Sequence, residues 1–352
     1  MPLAREVYVS HRRGAVPLKR WTKGSPTELN LTFRRRQMGQ FLQKHFPRLS
    51  DWAANAAVAY IGRRTFGALD PEWRLEPFPS VTLTLPGMFE PVMPFLQDGS
   101  LVSLPGIKRF LGDGKSVEFT DGTVLEDVDA VILCTGYSAD WSVAAPSFLE
   151  TSKPPDSGRC PALPRLYMNL FPPRYADSCA LLCHSAFGKS NGFGFADVMA
   201  WAVANVFRGT TPADCVPSTP KMERHIDDHH AWVASRWKQG GDEFGCDVSM
   251  VRQWEFQTFL HKAAGTGVLE NLGWWPSWSG WKFWWREREM YNLMVNGVET
   301  SHMFRYFDTG GQRPVWEGAG EAIRRLNGVV KGKFPLKEGE EGEEGGEEEE
   351  EG

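Results

Sequence analysis

The segment Asp129-Ala-Val-Ile-Leu-Cys-Thr-Gly-Tyr137 constrains the fold more than any other part of the chain. A continuous apolar run of this length reads as a strand buried on both faces of a parallel sheet. The glycine after it lets the backbone turn where a Cβ would not fit. Just upstream, Asp113-Gly114 and Asp121-Gly122 are dipeptides that supply the positive φ of tight hairpins. Residues 100–104, 106–110 and 116–119 therefore read as short strands of a β-meander, entered from a helix over 89–96.

The flanking segments extend an α/β pattern. Val7-Tyr8-Val9-Ser10 is β-branched and aromatic and reads as a strand. Residues 21–66 read as helical with a break near Pro47, and Pro71, Pro77 and Pro79 mark a loop. Ala180-Leu-Leu-Cys183 reads as a second buried strand, followed by a glycine loop over 188–194 and a helix from about Phe195 to Phe207. Residues 216–335 read as helical and aromatic.

Charge and composition exclude several classes. The net charge of −5 becomes about +5 once the ten glutamates between Glu338 and Glu351 are set aside. The acidic tail over 336–352, only Glu and Gly from Glu338 onward, is expected to be disordered. The mildly basic remainder suits an anionic ligand, but no basic tract is long enough for a nucleic-acid groove. Six cysteines without a C-x-x-C do not make a disulfide scaffold and fit a reducing compartment. With no signal-like N-terminus and no run of about 18 apolar residues, the expected location is cytoplasmic.

Three further features have bland readings. Gly114-Lys-Ser and Gly188-Lys-Ser resemble the end of a phosphate loop, but Arg109 and Cys183 stand where its first glycine belongs. His225 and His229 are one helical turn apart with no third ligand evident, so no metal site is expected, only a solvated helix face. Trp274, Trp278, Trp281 and Trp285 fall at i, i+4, i+7 and i+11, although Pro276 and Gly280 argue against one continuous helix. Internal packing of these tryptophans is favoured over contact with a membrane interface.

The meander and its strand, with Leu96-Gln-Asp-Gly-Ser-Leu-Val-Ser-Leu-Pro-Gly-Ile-Lys-Arg-Phe110 and Cys134-Thr-Gly-Tyr137, resemble the flavin-containing monooxygenase family. Leu166-Tyr-Met-Asn-Leu-Phe-Pro-Pro173, Tyr291-Asn-Leu-Met-Val-Asn-Gly297 and His302-Met-Phe-Arg-Tyr-Phe-Asp308 carry the resemblance through most of residues 7–330. It implies portions of two Rossmann-like dinucleotide-binding domains. Residues 1–141 would be the remainder of an NADP domain, 142–215 the C-terminal part of an FAD domain, and 216–335 a helical, Trp-rich extension. The implied cofactors are FAD and NADP, and the implied reaction is NADPH- and O₂-dependent oxygenation of a small organic substrate.

Site residues follow from the same resemblance. Arg12 and Arg13, just past the first strand, would hold the ribose 2′-phosphate of NADP through planar guanidinium forks, with Ser10 as a hydroxyl donor. Thr135, Gly136 and Tyr137 would lie at the cofactor-domain junction. Asn191, Gly192, Phe193 and Gly194 would bring a helix N-terminus to the flavin. No catalytic acid or base is assigned. Neither of the two G-x-G-x-x-G loops that the family needs occurs in the chain. The expectation is an incomplete enzyme with weak cofactor binding; the alternative is a non-catalytic truncated paralogue that binds neither cofactor tightly.

Overall fold

The computed structural model describes residues 4–22, 25–84, 87–135, 140–141, 144–145, 147–182, 192–241, 244–273 and 277–331. They divide into two compact units, one within residues 1–20 and 37–265, the other within residues 21–36 and 266–352. The boundaries expected near 141 and 215 fall inside the first unit.

In the first unit, β1 (Val7–Ser10) pairs in parallel with β2 (Leu101–Leu104), from Val7 opposite Leu101 to Ser10 opposite Leu104. The meander that follows has three strands: β3 (Ile107–Phe110), β4 (Val117–Phe119) and β5 (Val124–Leu125). Its turns are the two Asp-Gly pairs, with φ of +71° at Gly114 and +89° at Gly122, where a Cβ would be strained. β2 leaves the meander for β1 because parallel pairing needs a partner distant in sequence, which no local turn specifies. Leu75, Met93 and Leu96 form a buried cluster beside this pair, with Leu101 packed on it.

Helices α1 (Phe33–His45) and α2 (Pro47–Phe66) are separated where expected. Pro47 opens α2 at a position whose N–H would have no helical partner in any case. Next come α3 (Met93–Gln97), α4 (Gly192–Phe207), α5 (Thr219–Gly240) and α6 (Gln253–Ala264). α4 packs on α6, and the fully buried Asn205 donates its side-chain N–H to Ala263 O at 3.0 Å. Gly265 ends α6 in the left-handed region at φ +62°.

Two expected strands do not form. Residues 129–135 pair with no described strand, and Ile132 and Leu133 are 85% and 69% exposed. Apolar, β-branched residues favour extended backbone, but a strand exists only where a neighbour supplies donors and acceptors. Residues 180–182 also form no strand, although Leu181 N donates to Leu170 O at 2.8 Å; Cys183 lies outside the described residues.

The second unit is helical at its C-terminal end, with α7 (Val268–Leu272), α8 (Trp278–Arg286), α9 (Arg288–Asn296) and α10 (Ala319–Val330). The tryptophan expectation is corrected here. Trp278, Trp281 and Trp285 are 86%, 58% and 80% exposed, while Phe283 is buried among Phe307, Tyr306 and Tyr291. The helical period located the face correctly; Phe283, on the other side, turns that face outward. Trp274 and Trp275 lie outside the described residues. No helix among the described residues is long and apolar enough to cross a membrane.

Candidate functional site

The C-terminal ends of β1 and β2 place two loops side by side, 11–14 and 105–106. Open α/β sheets bind ligands at such strand ends. His11 N continues the ladder by donating to Leu104 O at 3.1 Å. Ser10 Oγ donates to Pro105 O at 2.7 Å, tying the loops together. In this arrangement the one hydroxyl hydrogen of Ser10 points to that carbonyl, so Ser10 braces the two loops.

Beyond these loops lies a cavity of about 590 Å³, lined by His11, Arg12, Arg13 and Gly14 on one side and by Arg74 and Phe244 among others. Arg12 lies across Gly106, where an added Cβ would come 2.7 Å from Arg12 Cγ. The Arg13 guanidinium lies over the Phe244 ring, 5.6 Å from its centroid, and stays open to solvent on its other side. Partial burial, and then the neighbouring Arg12 charge, hold the Arg13 pKa below its ordinary value. Neither guanidinium has a salt bridge to a described carboxylate. Arg74 reaches Asp121 at 3.1 Å, and the acid at the rim, Glu76, is taken by Arg63.

The loop is held by backbone and by His11. Gly14 is required by a close approach, since a Cβ there would sit 2.0 Å from Leu75 O, and the next residue, Ala15, donates its N–H to that oxygen at 3.0 Å. His11 bridges Arg13 O through Nδ1 and Ser103 Oγ through Nε2, both at 2.8 Å, and Ser103 Oγ donates to Trp73 O at 2.9 Å. The carbonyl between Arg13 and Gly14 is thus tied to β2.

Among the described residues, Thr135, Gly192, Phe193 and Gly194 do not line this cavity. Thr135 is exposed and outside any strand, and Gly136, Tyr137 and Asn191 lie outside the described residues. Gly192, Phe193 and Gly194 form the first turn of α4. The histidines of α5 do not form a solvated face. His229 is buried with its ring stacked on Trp232 at 5.7 Å, and His225 Nε2 lies 3.5 Å from Glu255. His230 is buried too, bonded to Pro164 O at 3.2 Å, and burial pushes its pKa down. Sequence reasoning missed His11 and Gly14, although both adjoin the arginines; Arg74 and Phe244 carry no local signal.

A strand-end cavity that exposes two arginines has the charge and the donors to accept an anionic group. The flavin-binding monooxygenase-like family model matches residues 2–244, which include every residue lining this cavity except Gly245. The chain belongs to that family. Its members are flavoprotein oxidoreductases. Monooxygenase aurF of Gibberella zeae is 33% identical over 341 residues, covering 95% of this chain and 62% of aurF. Flavin-containing monooxygenase 3 of Macaca mulatta is 24% identical over 275 residues, 77% of this chain and 46% of that protein. The human protein of the same name is also 24% identical, over 274 residues. The chain therefore spans about three-fifths to one-half of the length of these relatives. The aurF match continues past residue 244 into the helical, aromatic C-terminal region.

Proposed function

We propose that this chain provides the NADP(H)-binding side of a flavin-dependent monooxygenase that oxygenates a small organic substrate at nitrogen, sulfur or a carbonyl carbon. The observation that carries the reading is the Arg12–Arg13 pair at the strand-end cavity, in a chain of this family. Arg12 and Arg13 hold the ribose 2′-phosphate. Each guanidinium raises the cost of its neighbour's charge, and a phosphate dianion offsets that repulsion while accepting paired N–H bonds. Gly14 keeps the loop against Leu75, and Phe244 backs the Arg13 plane. Bound NADPH supplies the hydride that reduces a flavin in chemistry of this class.

The test is a fluorescence titration of the 352-residue protein with NADPH and with NADH. A single charged phosphate contact is worth about 1.5–3 kcal/mol, so NADPH binds at least about tenfold tighter. Equal affinities would rule the arginines out as the 2′-phosphate site. Gly106→Ala checks the geometry independently. Its Cβ pushes Arg12 aside without changing any charge and weakens NADPH by about 1 kcal/mol, roughly fivefold. Unchanged affinity in a folded Gly106→Ala protein would mean that Arg12 does not touch the nucleotide.

FAD is a different case. The sequence contains no G-x-G-x-x-G, the loop whose glycines admit a pyrophosphate to a helix N-terminus. The protein by itself is accordingly expected to be purified without flavin. A stoichiometric absorption band near ~450 nm, the flavin's own chemistry, would contradict this. A second reading, a non-catalytic relative that holds neither cofactor tightly, is favoured by the solvent-exposed Ile132 and Leu133. It predicts no discrimination between NADPH and NADH.

A further inference from the structure

Helix α8 carries apolar residues on two opposite sides. Phe283 faces inward, its ring 5.0 Å from Phe307. At about 100° per residue, Trp278, Trp281 and Trp285 cluster opposite Phe283, and all three are exposed. Lys282 and Arg286 lie along one side of them, also exposed, and the helix contains no acid. Two acids lie just beyond it: Glu287, which accepts from the Tyr306 hydroxyl, and Glu289, 3.9 Å from Arg324.

The helix is fixed in place. Ser277 caps it by accepting from Gly280 N at 3.0 Å, and both Ser277 and Ser279 donate to Glu270 O at the end of α7. Trp284 braces the exposed rings from within, 5.7 Å from Trp281 and 6.2 Å from Trp285, with Arg288 over its own ring at 5.1 Å.

We propose that this face of α8 docks on the surface of an anionic phospholipid bilayer. Indole combines a large apolar body with one N–H and is at home in the headgroup layer. A rigid helix that presents indoles beside cations, and no anion, has the charge and polarity of an interfacial helix lying flat on such a surface. The rings protrude and do not line a groove, so a fluid headgroup layer can close around them where a folded protein surface would leave gaps between them. This inference is independent of the nucleotide site.

The test is co-sedimentation of the full 352-residue protein with vesicles of phosphatidylcholine containing about a quarter phosphatidylserine. The protein is expected to bind them, and to bind vesicles of phosphatidylcholine alone more weakly. A Trp278→Ser/Trp281→Ser/Trp285→Ser variant of unchanged helix content should lose at least about tenfold in affinity. Lys282→Glu/Arg286→Glu, which leaves every ring in place, should lose the preference for phosphatidylserine. Absence of vesicle binding by the native protein overturns the proposal, as does binding that the triple variant retains. A native dimer that the triple variant converts to monomer, without vesicle binding, would assign the face to a second copy of the chain instead.

Discussion

Replacing Arg36 with alanine is expected to destabilise the second unit by about 3–5 kcal/mol, the usual cost of stranding one member of a buried ion pair. Arg36 Nε donates to Glu299 Oε1 at 2.6 Å, and each side chain is only 6% exposed. Glu299 Oε2 has no hydrogen-bond partner among the described residues, so Arg36 is what opposes the desolvation of that carboxylate. Burial pushes the Glu299 pKa up, and Arg36 pulls it back without cancelling the effect. Without Arg36 the pKa rises further. A carboxyl with a raised pKa binds its proton more readily in the folded state. Its favourable contribution is present below the unfolded value of about 4.3 and is lost as pH rises through the folded value. Urea unfolding of Arg36→Ala should therefore show a deficit that is largest near neutrality and shrinks toward pH 4. A pH-independent deficit would mean that lost contact with the Phe33 ring, 4.9 Å from the guanidinium carbon, is the cause.

The second large effect is on cofactor choice. Arg12→Ala/Arg13→Ala should weaken NADPH by about 1.5–3 kcal/mol per arginine, while NADH changes little. Titration of both cofactors against the double variant should show their affinities converging. Both sites are open to solvent and neither carries a described salt bridge, so the fold should tolerate the change within about 0.5 kcal/mol. Parallel losses for NADPH and NADH would mean that the arginines attract anions in general and do not recognise the 2′-phosphate.

What was legible in the sequence was local. The Asp-Gly turns, the break at Pro47, the first strand and the helix after the glycine loop each depend on residues a few positions apart, and each formed. The position of Arg12 and Arg13 at a strand end was legible for the same reason. Partners from elsewhere in the chain were not legible. The pairing of β1 with β2, the closure of the cavity by Arg74 and Phe244, and the bridge from His11 to Ser103 are all long-range. Residues 129–134 show the converse, for the run has the composition of a buried strand but no described neighbour pairs with it. The face on α8 was visible as a period in the sequence, yet a period does not say which side the core takes; Phe283 decided that. The bond from the Ser10 hydroxyl to Pro105 O is another that no motif reveals.

The loop after β1 is expected to grip a 2′-phosphate. Phosphorus NMR of 2′,5′-ADP titrated with the protein reports its two phosphates separately. The account predicts that the 2′ resonance shifts and broadens first, and that this response disappears in Arg12→Ala/Arg13→Ala. A response confined to the 5′-phosphate, or one that survives in the double variant, would contradict it.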